Sequence, residues 1–185
     1  MRSQTADRET VTLVWLKRDL RLRDHAPLAL ASKRCEAGGK AIAFYVLERD
    51  YWASDKAGSQ QRAFVLESLR ELTLGLERIG CRLHLFEAPS AVQVMESLTS
   101  IYRVEEILCH QETGNRWTFE RDRAVLALAK ARGIPVREFL QNGVIRGKGA
   151  PKLDGGAWLN WIGAEESVAP GFWRNPVCAP ECRAI

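Results

Sequence analysis

Short apolar runs alternate with longer amphipathic segments along the first 140 residues. The runs are rich in β-branched and aromatic residues and suit buried strands, whereas the longer segments place apolar residues on one helical face. The predicted strands are Val11–Leu16, Ala41–Leu47, Arg82–Phe86, Glu105–Cys109 and Pro135–Phe139. The predicted helices are Asp24–Ala37, Ser59–Ile79, Ser90–Tyr102 and Trp117–Arg132, and Phe64 is expected on the apolar face of the longest of them. Because crossovers between parallel strands are right-handed, this alternation predicts an α/β fold, a doubly wound parallel five-stranded Rossmann-like sheet with helices on both faces.

The pattern divides the chain into three parts. Residues 1–9 are polar and are predicted to be a flexible N-terminus, and residues 10–140 form the α/β domain. Beyond Leu140 the periodicity ends in glycine- and proline-containing turns, so residues 141–185 are predicted to be an extended, linker-like tail, partly disordered. For the tryptophans of this tail, Trp158, Trp161 and Trp173, we expect packing on a further domain or back on the sheet rather than electron transfer.

Composition narrows the class of protein only slightly. Hydrophobic residues make up 46% and charged residues 27%, as in ordinary globular domains. The net charge of +4 permits contact with nucleic acid without indicating it, and no apolar run is long enough to cross a membrane. An odd number of cysteines, five, and the lack of a signal peptide predict reduced thiols and a cytoplasmic location.

Several common catalytic patterns are missing from the sequence. The first strand is followed by neither a G-x-G-x-x-G nor a Walker phosphate loop, and no G-x-S-x-G elbow occurs, so a conventional dinucleotide, nucleoside-triphosphate or hydrolase site is not predicted. The histidines lack metal-ligand spacing, and Cys178 and Cys182 lack two further ligands nearby. We therefore predict no catalytic and no metal-binding residues, and a helix-capping role for His25.

Two polar loops follow predicted strands at positions where a doubly wound sheet places its ligand crevice. The first loop, after Val11–Leu16, is densely charged, and the second follows Cys109. Both are expected at the same sheet edge. The candidate ligand-binding residues are Trp15, Lys17, Arg18, Asp19 and Arg21 in the first loop and Gln111, Glu112 and Asn115 in the second. The alternative is that these charges pair with one another and hold the loops, so we expect at least one of Arg18 and Arg21 to form an intramolecular ion pair.

Several segments resemble, in order, the N-terminal domain of the DNA photolyase/cryptochrome family. WLKRDLRLRDHAPLALA is similar to the family's first strand, charged loop and first helix, and AFYVLERDYW to its second strand. QQRAFVLESLRELTLGLERIGCRLHLF resembles its long helix and third strand, HQETGNRWTFERDRAV its fourth-strand loop, and FLQNGVI its fifth strand. Together the resemblance spans about residues 10–146, and the order of the pieces makes it specific.

The resemblance implies a division of labour between two domains. In this family the α/β domain can bind an antenna chromophore, a folate or a deazaflavin, and a long linker joins it to a helical domain that holds FAD and the DNA or partner site. The 185 residues contain no counterpart of the helical domain. We therefore expect antenna binding or partner docking here, no stoichiometric FAD, no repair chemistry, and DNA contact only in the intact family protein.

Other interpretations stay open at this point. The chain can derive from a truncated gene, a frameshift or an isolated domain, and its partner can be a separate helical FAD domain or a second copy. A different class is a Rossmann-like sensor in which Lys17, Arg18 and Arg21 hold a small anionic ligand or nucleotide. A third is a non-catalytic remnant that dimerises. Absorbance of the purified protein distinguishes antenna binding from nucleotide binding, because a bound chromophore absorbs in the near ultraviolet or visible. Sedimentation tests whether the chain dimerises.

Overall fold

A computed structural model describes residues 8–142, 169–171 and 173. Expectations for residues 1–7, 143–168, 172 and 174–185, including those for Trp158 and Trp161, lie outside the described residues. The strands are β1 (Thr10–Leu16), β2 (Ala41–Glu48), β3 (Leu83–Ala88), β4 (Arg103–His110) and β5 (Val136–Phe139). The helices are α1 (Ala26–Glu36), α2 (Arg49–Trp52), α3 (Ser59–Arg78), α4 (Ala91–Ile101) and α5 (Arg116–Ala131).

The strands form one parallel sheet in the order β3-β2-β1-β4-β5. Strand order reverses at β1, which pairs with β2 on one side and with β4 on the other. Trp15, near the end of β1, lies between Phe44 of β2 and Cys109 of β4. The predicted doubly wound fold is therefore confirmed, and the loops after β1 and β4 emerge side by side at the carboxyl edge.

Successive residues of β1 point to opposite faces of the sheet and enter two separate cores. Leu13 and Trp15 pack with residues of α4 and α5, whereas Val14 and Leu16 pack with residues of α1 and α3. Both faces of this strand are buried, which explains its continuous apolar run. Helices therefore cover both faces of the sheet beneath the carboxyl edge.

Helix ends follow local sequence signals. His25 is the N-cap of α1, where its Nδ1 accepts a hydrogen bond from the backbone N–H of Leu28 at 3.2 Å. This confirms the capping role predicted for His25. The end of α3 is followed by Gly80 at φ +75°, a backbone conformation that glycine adopts without strain.

Two details differ from the sequence predictions. Phe64 was predicted on the apolar face of the long helix, but its side chain is 69% exposed because it lies on the side of α3 that faces the carboxyl edge of the sheet. The short helix α2 was not predicted, since four residues are too few to show a helical period. Among the described helices, none has the length and apolar character needed to cross a membrane.

Candidate functional site

The loop after β1 is fixed by Asp19, which is fully buried. Its Oδ1 accepts the backbone N–H of Lys17 at 2.7 Å, and its carbonyl oxygen accepts the N–H of Arg21 at 2.8 Å. A carboxylate that accepts backbone N–H groups substitutes for the sheet ladder where the strand ends. Asp19 thus holds the charged residues after β1 in a defined turn.

Two buried histidines face the other oxygen of Asp19. Nδ1 of His110 lies 2.6 Å and Nε2 of His25 lies 2.9 Å from Oδ2, although the His25 ring is not aligned for a regular hydrogen bond. Burial alone would raise the pKa of Asp19, but the two histidines outweigh it and hold that pKa well below the ordinary range. Burial lowers the pKa of His110 despite the adjacent carboxylate. At neutral pH the group is an ionised Asp19 facing a neutral His110.

These three residues form a compact polar trio that resembles a metal-ligand set, with the potential ligand atoms within 4.8 Å of one another. The hydrogen bonds argue for a structural role. Nδ1 of His25 accepts the Leu28 N–H, so the neutral ring carries its proton on Nε2, the atom that faces Asp19. A metal ion at Nε2 would have to displace that proton and disturb the helix cap. The trio therefore suits hydrogen bonding, which ties the loop after β1 to the end of β4.

A second buried group joins β1 to α5 through ion pairs. Nζ of Lys17 lies 2.5 Å from Oδ2 of Asp122, and both side chains are 3% exposed. Arg121 pairs with Glu48 at 2.8 Å, Glu112 at 2.7 Å and Asp122 at 2.8 Å. Burial alone would lower the pKa of Arg121, but the surrounding carboxylates raise it, so the guanidinium stays charged. The network connects three elements through buried charge.

Trp15 lies against both cations of this network. Nζ of Lys17 is 4.7 Å and the guanidinium carbon of Arg121 is 5.1 Å from the indole centroid. Such cation–π contacts add to the ion pairs and fix the ring. Glu48 closes the network on the β2 side, where it also accepts the backbone N–H of Ala91 at 2.8 Å. Burial raises the pKa of Glu48, although Arg121 opposes the shift.

Arg18 and Arg21, the two arginines proposed for ligand binding, behave differently. Arg18 reaches Glu112 only at 3.9 Å with a side chain 45% exposed. Arg21 pairs with the Asp24 carboxylate at 3.6 Å and donates to the carbonyl oxygen of Asp24 at 2.8 Å from Nη2. The positive φ of Asp24, +49°, belongs to this turn. The predicted intramolecular ion pair is thus confirmed.

Gly114 allows the two loops to approach each other closely. A Cβ at this position would come within 2.6 Å of Glu112 Oε1, 2.7 Å of Arg18 Cζ and 2.7 Å of Thr118 Oγ1. Its N–H also donates to Glu112 Oε1 at 2.7 Å. Any side chain there would push Arg18 away from the start of α5. The predicted placement of both loops at one edge is confirmed by these contacts.

A pocket of about 380 Å³ opens at the carboxyl ends of β1 and β2. Its aromatic lining comprises Trp15, Tyr45, Tyr51, Trp52 and Phe64. Its charged and polar lining comprises Lys17, Arg18, Arg21, Glu48, Gln61, Ser68, Thr118 and Arg121. We call the buried part of this lining the floor, which comprises Trp15 and the paired charges Lys17, Glu48 and Arg121. We call the two more exposed arginines, Arg18 and Arg21, the rim.

The structure divides the candidate residues of the sequence analysis into two groups. Trp15, Lys17, Arg18 and Arg21 line the pocket. The other four, Asp19, Gln111, Glu112 and Asn115, are not among its lining residues. Asp19 and Glu112 belong to the buried networks, and the Asn115 side chain caps α5 by accepting the Thr118 N–H at 3.0 Å. The pocket lies toward β2 because the β1/β4 junction is filled by the Asp19 trio.

The sequence analysis missed the β2 side of the pocket. Glu48, Tyr51 and Trp52 lie at the end of β2 and in α2, and Gln61 and Phe64 lie in the first half of α3. The segment LERDYW carried a usable signal, because two adjacent aromatic residues follow the end of a strand by two residues at the carboxyl edge. The packing of α3 that brings Gln61 and Phe64 to this edge could not be read from the sequence.

The fold and the pocket define a doubly wound α/β domain with a ligand-sized cleft at its carboxyl edge. The sequence pattern of one family, DNA photolyase, matches residues 12–155. The chain belongs to the DNA photolyase family, as the resemblance of its segments predicted.

Individual relatives agree with this assignment. A (6-4)DNA photolyase of Oryza sativa subsp. japonica is 30% identical over 135 residues, which are 67% of this chain and 24% of that protein. The chain thus spans about a quarter of the length of this curated relative. A bacterial class III photolyase from Agrobacterium tumefaciens superposes with a TM-score of 0.71 at 25% identity, over 98% of this chain and 39% of that one.

A second solved structure shares the fold. An archaeal photolyase from Sulfolobus tokodaii, described as containing two FAD molecules with the implication of a novel light-harvesting cofactor, superposes with a TM-score of 0.70 at 18% identity. The match covers 94% of this chain and 39% of that chain. At this identity the likeness concerns the fold alone.

Proposed function

We propose that this chain is an N-terminal domain of the photolyase/cryptochrome type whose pocket binds a planar light-absorbing chromophore, a folate or a deazaflavin. The observation that carries the proposal is the composition of the pocket, in which aromatic side chains line a cavity with two exposed arginines at its rim. Aromatic walls favour flat ring systems through stacking, and arginine favours carboxylate or phosphate groups.

The residues present fit such a ligand. The volume, about 380 Å³, lies within the range of small-molecule sites, about 300–1,000 Å³. The fused ring would contact Tyr51, Trp52 and Phe64, and an anionic tail would reach Arg18 and Arg21. When bound, the chromophore would absorb near-ultraviolet or blue light and pass the energy to a flavin held elsewhere. A flavin in this role is a related candidate, because the Sulfolobus photolyase is described with two FAD molecules.

The chemistry of the intact family protein belongs to the proposal as well. Since the matched relatives are much longer than this chain, light-driven DNA repair or blue-light sensing would require a helical FAD domain as partner. We propose that the chain by itself has no repair activity and that the partner is a separate helical domain or, failing that, a second copy of the chain.

A second candidate function is binding of a small anionic ligand or nucleotide without light absorption. The exposure of Arg18 favours it, because this guanidinium is held only by a long contact to Glu112 and is accessible from the pocket. A nucleotide would use the rim in the same manner but would make less use of the aromatic wall. The two candidates therefore differ in how strongly binding depends on Phe64.

Equilibrium titration of the purified chain tests both candidates. The probes are a folate, a deazaflavin, FMN and ADP, followed by fluorescence or by absorbance after dialysis. We expect a chromophore to bind at least about tenfold more tightly than ADP. Phe64→Ala should lower the affinity for the chromophore about tenfold, equivalent to about 1.4 kcal/mol. Leu74→Ala is the matched control, since Leu74 is 57% exposed on the same helix and does not line the pocket.

The outcomes separate the candidates clearly. Tighter binding of ADP than of any chromophore, with no effect of Phe64→Ala, would support the nucleotide-binding sensor. Failure of all chromophores to bind at micromolar concentration would reject antenna binding by this chain.

A further inference from the structure

Two buried side chains of the pocket lining carry hydrogen-bond donors that the described part of the protein does not use. Trp15, near the end of β1, is 3% exposed, and Tyr45, near the end of β2, is 7% exposed. No described residue makes a hydrogen bond with the indole Nε1 of Trp15 or with the phenol oxygen of Tyr45. Because polar groups of buried side chains normally have partners, these two donors point to a function outside the fold itself.

The other buried polar side chains of the lining already have partners within the protein: Lys17, Glu48, Tyr51 and Thr118. Tyr51 is the closest comparison with Tyr45. Its phenol oxygen accepts a hydrogen bond from Gln61 Nε2 at 3.3 Å and donates to the carbonyl oxygen of Lys56 at 3.5 Å. The two tyrosines therefore line one pocket, but only the hydroxyl of Tyr51 is bound by neighbouring residues of the described chain.

The two unused donors lie at an open surface. Four polar atoms of the described residues are fully enclosed without a partner, and neither Trp15 Nε1 nor the Tyr45 oxygen is among them. The rest of each side chain packs in an apolar core, and both residues line the pocket. The open surface that the donors reach is therefore the pocket.

The donors come from opposite faces of the sheet. Trp15 belongs to the core that contains α4 and α5, whereas Tyr45 belongs to the core that contains α1 and α3. Tyr45 is the register neighbour of Leu16, the residue that follows Trp15. The two donors thus flank the junction of β1 and β2 at the buried side of the pocket.

Both groups act as donors at neutral pH. An indole N–H donates a hydrogen bond and has no lone pair with which to accept one. Burial raises the pKa of Tyr45, and the nearby Glu48 carboxylate adds to this effect while Arg121 opposes it, so the phenol keeps its proton. A ligand that satisfies both donors has to present acceptors, such as carbonyl oxygens or unprotonated ring nitrogens.

We propose that Tyr45 and Trp15 are specificity-determining residues of the pocket and select a planar ring with hydrogen-bond acceptors on its buried edge. The inference rests on the proposed function and deepens it. The ligand class becomes a ring with acceptors at one end and an anionic group, bound by the rim, at the other. A ring of the same shape without acceptors would displace water from both donors and leave them without partners, which weakens its binding.

Binding of two matched probes to the purified chain tests the selection. FMN and anthracene-2-sulfonate both combine a planar tricyclic ring with an anionic group, but only the FMN ring carries carbonyl oxygens. Tyr45→Phe removes the hydroxyl and keeps the aromatic ring. We expect this variant to lower the affinity for FMN about five- to tenfold and to leave that for anthracene-2-sulfonate within about twofold. In Trp15→Phe the ratio of the two affinities should fall in the same direction, and this ratio cancels a general change in pocket shape.

Stability without ligand gives a readout that does not depend on binding. Because no described residue binds the Tyr45 hydroxyl, Tyr45→Phe should keep the denaturation midpoint of the parent. Tyr51→Phe is the matched control, since it removes a hydroxyl that Gln61 and Lys56 bind, and it should lower the midpoint. An equal decrease in both variants would show that the Tyr45 hydroxyl stabilises the fold and would overturn the inference.

The binding results separate this inference from the proposed function. If the parent binds FMN and Tyr45→Phe binds it equally well, the inference fails and the proposed function stands. If Tyr45→Phe loses affinity for both probes alike, Tyr45 sets the shape of the pocket and the inference also fails. If the parent binds neither probe nor any chromophore, the proposed function fails and the inference fails with it.

Discussion

Lys17 and Arg18 are adjacent cations in one loop, yet the fold uses them in opposite ways. The Lys17 side chain is 3% exposed and pairs with Asp122, whereas that of Arg18 is 45% exposed and reaches Glu112 only at 3.9 Å. The difference follows from the alternation of side chains as the chain leaves β1, which turns one cation toward α5 and the next toward solvent. Position relative to the strand, not residue type, separates the pocket floor from its rim.

The energetic consequences differ accordingly. A buried ion pair whose partner is removed leaves an uncompensated charge in a poorly solvated place, which costs about 3–5 kcal/mol. An exposed pair contributes only about 0–1 kcal/mol, because water and salt screen it. We therefore expect substitutions in the floor to change the stability of the domain far more than substitutions in the rim.

Arg121→Ala should destabilise the domain most. It removes the cation that Glu48, Glu112 and Asp122 share, and among the described residues only Asp122 keeps a second buried cation, Lys17. We expect a loss of about 3–5 kcal/mol in the free energy of unfolding, measured by denaturant titration. Arg123→Ala, two residues along the same helix and exposed, is the control and should match the parent. Equal stability of the two variants would show that the floor is not a structural unit.

Asp19→Asn should lower the free energy of unfolding by about 1.5–3 kcal/mol at pH 7, because the hydrogen bonds to a charged carboxylate are weakened. The effect is pH-dependent. The folded-state pKa of Asp19 is held below its ordinary value of 3.8, so its contribution is present above that pH and is lost as the pH falls through and below it. The stability gap between parent and Asp19→Asn should therefore shrink below about pH 4.

His110 adds a second window at higher pH. Its folded-state pKa lies below 6.5, so the unfolded chain takes up a proton first as the pH falls, and the parent should begin to lose stability below about pH 6.5. Asp19→Asn should keep this part of the acid limb and enlarge it, because the carboxylate that opposes the lowering of the His110 pKa is then lost. Glu67→Gln, at an exposed site on α3, serves as control, and its profile should overlay that of the parent. A gap that stays constant from pH 7 to pH 3 would contradict the assigned ionisation of Asp19.

Asn115→Ala tests the placement of a residue that the sequence analysis proposed for ligand binding. The side chain accepts the Thr118 N–H as the N-cap of α5, so we expect a loss of about 1 kcal/mol in stability. Asn115→Asp should preserve the cap. If instead stability is unchanged and chromophore affinity falls, Asn115 acts on the ligand rather than on the helix.

Arg18→Ala and Arg21→Ala should have the smallest effect on stability, about 0–1 kcal/mol each by thermal or denaturant unfolding. The larger effect should appear in binding. Loss of Arg18 should lower the affinity for an anionic chromophore about tenfold, equivalent to about 1.4 kcal/mol. A destabilisation as large as that of Arg121→Ala would remove the distinction between rim and floor. Unchanged affinity in both variants would exclude a role for the rim in holding the ligand.

The sequence by itself determined the parallel sheet and the edge at which its charged loops emerge. The apolar run of β1 and its abrupt end in charged residues were enough to predict a buried strand followed by a charged loop, because burial on both faces requires continuous apolar sequence. The order of family-like segments then identified the DNA photolyase family. These features are local in the chain, or repeat with a fixed period, and so remain visible without coordinates.

Only the tertiary structure decided which charges form the floor and where the pocket opens. Asp19, His25 and His110 lie up to 91 residues apart, and their contact depends on the pairing of β1 with β4. The same holds for Lys17 with Asp122, 105 residues apart, and for Trp173 against Ile79. Sequence patterns report the faces of single elements, whereas burial of a charge or an indole depends on how separate elements pack, and that packing selects the partners.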